Sequence, residues 1–299
     1  MNIHFSPDVG AALSNQKPVL ALESTIVSHG MPYPENLSFA EKAESLCRSV
    51  GVAPATIAII GGNIHVGLSA DELEIIASGK NIKKVARHEI GYAIAHKWTG
   101  ATTVSSTMHI AKEAGISVFA TGGIGGVHRG AEYSFDVSQD LTALSQIPMV
   151  VVSAGAKAIL DIPKTVEMLE TLGVPLVGFK TNEFPAFYST QSGVSLHLSV
   201  ESPNDIARLF QSHVKAKLPS AILVANPVPK QDEVVSSEIE TYISKAIQLA
   251  SDRGISGKDL TPFLLGHIKK VTEGRSLETN VSLALNNVQL GAEIASALV

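Results

Sequence analysis

The chain has 299 residues, 45% of them hydrophobic and 17% charged, with a formal net charge of -5. That length builds one large domain or two ordinary ones with a sizeable core. The mildly acidic balance, with no block of Lys or Arg, excludes the basic face of a nucleic-acid binder, and the single cysteine, Cys47, excludes an internal disulfide framework and suits a reducing compartment.

The N-terminal MNIHFSPDVGAALSNQ has no basic start and no long apolar run, so it does not read as a signal peptide. No stretch approaches the ~20 consecutive apolar residues of a membrane helix, and a cytoplasmic protein is expected. KPVLALEST (17–25) reads as a strand running into a polar turn. The stretch 33–51 reads as a helix that carries Cys47 as a small packing residue and stops at Gly51. ATIAIIGGNIHVG (55–67) reads as strand, Gly-Gly turn and strand, and SADELEIIASG (69–79) opens with Ser69 and Glu72 at capping-box spacing. A helix is expected within 88–100. A short strand leading into a helix is expected over 101–115, and a strand followed by a glycine-rich loop over 116–130. Then come SQDLTALSQ (helix), MVVVSAG (strand), KAILDIPKTVEMLETLG (helix), VPLVGFKT (strand), NDIARLFQSHVKAKL (helix) and AILVANPVP (strand). Two C-terminal helices follow, within SSEIETYISKAIQLASDRG and from SLETN onward. The polar pieces around 189–203 and 229–236 are the only linker candidates.

This alternation implies one α/β domain over 1–299, a mostly parallel sheet covered by helices on both sides. In such sheets ligands sit at the carboxyl ends of the strands. Glu23, Thr103, His128, Lys157 and Asn226 fall at such ends.

Several familiar motifs fail. RHEIGYAIAH carries Tyr92 where a zinc-protease pattern needs histidine, which leaves His88 and His96 as surface or interface residues. TGGIGGVHRG puts His128 where a dinucleotide loop needs its third glycine, and no Walker lysine or Gly-x-Ser-x-Gly elbow occurs. What remains is chemical. Gly122, Gly123, Gly125 and Gly126 precede His128-Arg129, a grouping that suits an anion site or forms a plain flexible loop. ATTVSSTMH places hydroxyl residues at a helix start, either to bind phosphate or as ordinary N-caps. Asp136 and Asp140, four apart, hold a divalent cation, or Ser138 caps a helix with Asp140 in its first turn; the capping reading is the stronger. Glu23, next to Ser24-Thr25, is a general-acid candidate or a loop residue bound to backbone N–H groups. Lys157 follows the apolar run VVVSAGA. It is a surface lysine, or a cation misplaced at a helix N-terminus with a pKa low enough for Schiff-base chemistry.

ALESTIVSHGMPYPENL, ATTVSSTM, VFATGGIGGVHRGAE, FDVSQDL, VVVSAGAKAILD, VPLVGF, LVANPVP and SLETNVSLALNN occur in this order between about residue 17 and about residue 296. Together the chain resembles the pseudouridine-5′-phosphate glycosidases, also described as indigoidine-synthase-A-like. The resemblance implies a three-layer α/β/α core, a homotrimer, a divalent metal, typically Mn²⁺, and a phosphorylated nucleoside as substrate. It implies reversible cleavage of the C–C glycosidic bond of pseudouridine 5′-phosphate to ribose 5-phosphate and uracil. Lys157 resembles the nucleophile that forms an imine with ribose C1′, Glu23 the proton donor and Asp136 the metal residue. Ser138, Gln139 and Asp140 resemble a substrate-binding turn that is often Ser-Ala-Asp, so Gln139 is a departure. Lys84 and Val104 resemble phosphate contacts and Asn280 a further substrate contact. Thr103 and His128 join them from the anion-site argument.

The chemistry agrees with this set. A C-glycoside has no leaving oxygen or nitrogen to protonate, so the two-carboxylate scheme of O-glycosidases fails. An imine at C1′ supplies an electron sink, and uracil C5 must then take a proton. The rival readings are a Schiff-base lyase acting on another phosphorylated sugar or C-nucleoside, and a non-catalytic sugar-phosphate sensor.

Overall fold

A computed structural model of the chain describes residues 2–255 and 260–299. Its elements, in chain order, are β1 (Ile3–Phe5), α1 (Pro7–Ser14), β2 (Val19–Leu22), α2 (Thr25–Ser28), α3 (Glu35–Ser49), β3 (Ala53–Ile60), β4 (Asn63–Val66), α4 (Ala70–Ser78), β5 (Lys83–Val85), α5 (Ile90–Ala95), β6 (Gly100–Thr102), α6 (Val104–Glu113), β7 (Val118–Ala120), α7 (Ala131–Ser134), α8 (Gln139–Gln146), β8 (Val150–Ser153), α9 (Ile162–Thr171), β9 (Leu176–Phe179), β10 (Leu198–Val200), α10 (Pro203–Lys215), β11 (Ile222–Ala225), α11 (Ser236–Asp252), α12 (Leu260–Val271) and α13 (Arg275–Ala297).

The strands form one sheet in the order β1-β4-β3-β2-β7-β8-β11-β9-β10, with β5 and β6 joined on through β3. From β3 to β10 every pairing along this path is parallel. Helices cover both faces: α13 lies across β2, β7 and β8 and packs on α3 and α10, while α6 packs on α8, β2 and β3. The runs VLAL, VVVS and ILVA are therefore buried on both faces, which is why they read as unbroken apolar stretches without alternation. Each such buried valine contributes roughly 1.5–3 kcal/mol of transfer free energy. At Gly291 of α13 a Cβ would stand 2.9 Å from Leu20 and 3.1 Å from Ala120, so the glycine lets the helix lie close on the sheet.

Two details of the sheet place the chemistry. Leu22 is in register with Ala120, and Thr121 N donates to Val152 O at 3.0 Å, so Glu23, Thr121 and Ser153 emerge side by side at the carboxyl edge. The long strand β3 pairs β2 with its first half and β4 and β6 with its second. That excursion carries β5, and with it Lys84, in register with Ala101 of β6.

The expected Gly-Gly hairpin forms at Gly61 and Gly62, both at positive φ, and Ser69–Glu72 closes its capping box. Cys47 is fully buried on α3, where burial pushes its thiol up to about 12. Other expectations need correcting. The helix expected from Lys157 starts only at Ile162, capped by Asp161 with proline in its first turn, so Lys157 stands in a loop and not at a helix N-terminus. The stretch 88–100 gives only the short α5. The expected linker around 189–203 contains β10, paired to β9. Three C-terminal helices are present among the described residues, not two. Pro262 and Gly266 disguise α12 in the sequence, although proline in a first turn interrupts nothing. Among the described residues no helix is long and apolar enough to cross a membrane.

Candidate active site

A cleft of about 340 Å³ opens at the carboxyl edge of β2, β7 and β8, within the size range of small-molecule sites. It is lined by Glu23, Lys84, Thr103, Val104, His128, Asp136, Ser138, Gln139, Asp140, Lys157 and Asn280, so every residue singled out from the sequence for catalysis, substrate or metal converges there. Asn226 does not reach it. Its Nδ2 donates to Asn287 Oδ1 at 3.0 Å, and Asn287 Nδ2 donates to Thr121 O at 2.8 Å, so Asn226 supports the site from behind.

Glu23 follows β2 and is 7% exposed. Its Oε1 accepts a hydrogen bond from Thr121 Oγ1. Burial raises its pKa above the ordinary carboxyl value, against the downward pull of Lys157 and of the Thr121 hydrogen bond. Burial thus favours the neutral, proton-carrying form of this carboxyl.

Lys157 is partly buried, and its Nζ donates to Gly123 O at 2.7 Å. Its backbone is sewn to the glycine-rich loop: Ile124 N donates to Gly155 O and Lys157 N to Ile124 O, both at 3.0 Å. The amine is thus aimed by the loop.

Part of that loop is spent inside the protein. Gly125 N donates to Asp140 Oδ2 at 2.8 Å, Val127 N to Thr165 Oγ1 at 3.0 Å and His128 N to Asp136 O at 3.0 Å. These donors are consumed inside the protein. Two of the glycines also serve close packing: a Cβ at Gly125 would lie 2.2 Å from Ser138 Oγ, and one at Gly126 2.4 Å from Thr165 Oγ1.

Asp136 and Asp140 have opposite circumstances. Asp140 is buried, and its carboxylate accepts from Ser105 N at 3.0 Å and Gly125 N at 2.8 Å. It ties the first turn of α6 to the loop that aims Lys157. Ser138 caps α8 by accepting from Asp140 N, so the capping reading holds for this pair. Asp136 is 39% exposed on its side chain, 3.9 Å from His128 Nδ1. Burial lowers the pKa of His128, with Asp136 opposing and Lys84 and Lys157 reinforcing. Among the described residues no three of His, Cys, Asp and Glu gather as a metal cage. The residues fit a hard cation that takes one carboxylate, Asp136, and completes its shell with water and ligand oxygens.

Gln139 turns away from the cleft centre. Its Oε1 accepts from His88 N at 3.1 Å and faces His88 Nδ1 at 3.1 Å. His88 is thereby part of the cleft rim, which its sequence neighbours did not indicate, while His96 stacks on Tyr92 at 3.9 Å between ring centroids. Thr103 is the N-cap residue of α6, and Thr103 and Val104 line the cleft beside Lys84 and His128, while the next donor, Ser105 N, is taken by Asp140. Asn280, on α13, is 5% exposed, and its buried Oδ1 has no hydrogen-bond partner among the described residues. An orphaned acceptor lining a cleft is a ready ligand contact. Sequence reasoning missed Thr121, Asn287, Phe187 and the α12 residues Pro262 and Leu265, which also shape the cleft. No local pattern marks them, because each acts through partners far away in the chain.

A family model described as indigoidine synthase A like protein matches residues 8–297. A protein of Solibacter usitatus named pseudouridine-5′-phosphate glycosidase is 51% identical over 298 residues, covering 100% of both chains. One of Staphylococcus aureus with the same name is 50% identical over 296 residues, covering 99% of this chain and 96% of its own. Among solved structures, an indigoidine synthase A-like protein of Thermotoga maritima superposes with a TM-score of 0.90 at 40% identity, covering 99% of this chain and 96% of its own. A prealnumycin C-glycosynthase in complex with ribulose 5-phosphate superposes with a TM-score of 0.92 at 36% identity, covering 100% and 97%.

Proposed function

The chain belongs to the indigoidine synthase A like family, and on that premise we propose that it cleaves the C–C glycosidic bond of pseudouridine 5′-phosphate reversibly, giving ribose 5-phosphate and uracil. One observation carries this reading. A buried carboxyl whose pKa is raised by burial and a lysine amine share one cleft, beyond the ends of β2 and β8, the two strands that flank β7.

The amine of Lys157 attacks C1′ as the ribose ring opens, and O4′ takes a proton. The nitrogen lone pair then forms C=N while the C1′–C5 bond breaks. The bonding pair stays with the uracil ring, and C5 takes the proton of Glu23. Water hydrolyses the imine, releasing ribose 5-phosphate and restoring the amine. Lys84, Thr103, the Val104 N–H and His128 are positioned for the phosphate end, which anchors the substrate through ring opening. Ser138 and Asn280 are further substrate contacts, and Asp140 serves by holding the backbone around them.

Asp136 holds Mn²⁺ in this reading, whose charge and bound waters would order the open end of the cleft. Mn²⁺ binding followed by electron paramagnetic resonance, lost in Asp136→Ala, checks it without reference to activity. A homotrimer and a cytoplasmic location complete the proposal; light scattering in solution tests the first. The likeness to a C-glycosynthase favours a second reading, the same imine chemistry on another acceptor ring. Uracil release by the purified protein with Mn²⁺ and pseudouridine 5′-phosphate, beside a panel of C-nucleosides, separates the two.

A further inference from the structure

We propose that Thr121 is a positioning residue that decides which oxygen of Glu23 carries the transferred proton. This rests on the glycosidase reading and deepens it.

A threonine hydroxyl has one hydrogen to give. Thr121 gives it to Glu23 Oε1, and among the described residues it meets no other acceptor. The acid proton of Glu23 therefore belongs on Oε2. No hydrogen bond engages Oε2 among the described residues, and Glu23 lines the cleft. Thr121 is itself held from both sides. Its N–H donates to Val152 O at 3.0 Å, and its carbonyl accepts from Asn287 Nδ2 at 2.8 Å. Asn287 is fully buried and is fixed in turn by Asn226. A chain of buried amides thus sets the Thr121 backbone, and the hydroxyl sets the carboxyl.

The same contact helps the step forward. When the Oε2 proton passes to uracil C5, the C1′–C5 pair remains with uracil, the Lys157 nitrogen lone pair forms C=N, and Glu23 is left a buried carboxylate. A hydrogen bond to an ionised acceptor is stronger than one to a neutral acid. Thr121 therefore stabilises the carboxylate as it forms, while burial favours the protonated acid beforehand.

The test uses Thr121→Val, which keeps the shape and removes the hydroxyl, and Thr121→Ser, which restores it. Two readouts are taken on each: the pH profile of uracil release at saturating pseudouridine 5′-phosphate, and the equilibrium yield of borohydride-trapped ribose 5-phosphate on Lys157. Imine formation does not need the C5 proton. For Thr121→Val we expect uracil release to fall about tenfold to hundredfold and its alkaline limb to move to higher pH, since a donor to the carboxylate is gone. The trapping yield should stay at the wild-type level, and Thr121→Ser should recover most of the rate. Thr121→Ala carries the same expectations should the valine variant not fold. A wild-type rate and pH limb in Thr121→Val overturn the proposal. So does a parallel loss of trapping and release, which means a purely structural role. A wild-type protein that traps ribose 5-phosphate but frees no uracil overturns the underlying glycosidase reading instead.

Discussion

The two sides of the cleft are built on opposite principles. The wall formed by the ends of β2 and β7 with Asp140 of α8 and Asn280 of α13 is dry: Glu23, Thr121, Asp140 and Asn280 are each at most 7% exposed, the Thr121 hydroxyl is bonded to Glu23 Oε1, and the Asp140 carboxylate is bonded to two backbone N–H groups. The rim between His128 and Val137 is wet. Tyr133 and Phe135 are 89% and 87% exposed, and the segment is held outward by ion pairs such as Lys164–Glu132 and Arg129–Glu240. Desolvation is what keeps a carboxyl protonated and a network rigid. A wet rim does neither; in the proposed reading it is where a phosphorylated substrate and a hydrated cation enter. Chemistry belongs to the wall and entry to the rim.

Substitutions break or sharpen this contrast in a definite order. Lys157→Ala should abolish both uracil release and the borohydride-trapped adduct, read by peptide mass spectrometry with ribose 5-phosphate. Glu23→Gln should cut uracil release by about 10²–10⁴ while leaving the adduct, which separates the two wall residues by step. Glu23→Gln also has a pH signature. The folded-state pKa of Glu23 lies above its ordinary value of 4.5, so the folded state binds the extra proton. Wild-type stability falls as pH rises from about that value through the raised pKa. The glutamine variant lacks this loss, so its thermal midpoint relative to wild type should climb over that window; a flat difference contradicts a buried, proton-holding Glu23.

Asp140→Ala leaves two buried backbone donors, Ser105 N and Gly125 N, unpaired, which costs on the order of 1–3 kcal/mol each. Denaturant unfolding should show it, together with weakened substrate binding, while Asp136→Ala should leave stability unchanged and lower Mn²⁺ affinity. Equal destabilisation by the two would erase the distinction between wall and rim. At the small end, Lys164→Ala removes an exposed pair and should leave the thermal midpoint and turnover where they are.

Much of this was legible in the chain. VLAL, VVVS and ILVA are unmistakable as strands because burial on both faces removes any polar alternation. Ser69–Glu72 and Gly51 announce their helix boundaries through local hydrogen bonding and positive φ. Glu23 and Lys157 stand out because charged groups beside buried strands need a reason. The glycine-rich loop was visible but its use was not: the donors of Gly125 and Val127 meet Asp140 and Thr165, fifteen and thirty-eight positions away. Asp136 and Asp140 look alike in sequence, and only their surroundings make Asp140 a buried strut and leave the Asp136 carboxylate exposed. The missing α12 is a lesson in local rules, since Pro262 and Gly266 weaken a helix that packing against α11 and α13 nonetheless supports.

The sequence by itself determined the strands, most of the helices, the family motifs and the candidate residues that line the cleft, because these depend on burial patterning and side-chain chemistry that a short window contains. The tertiary structure alone decided which donors are spent inside the protein, which carboxylate is dry, and that Thr121 faces Glu23. Those facts follow from parallel register between strands nearly a hundred residues apart. Register is a property of the packed sheet, and no local pattern of residues contains it.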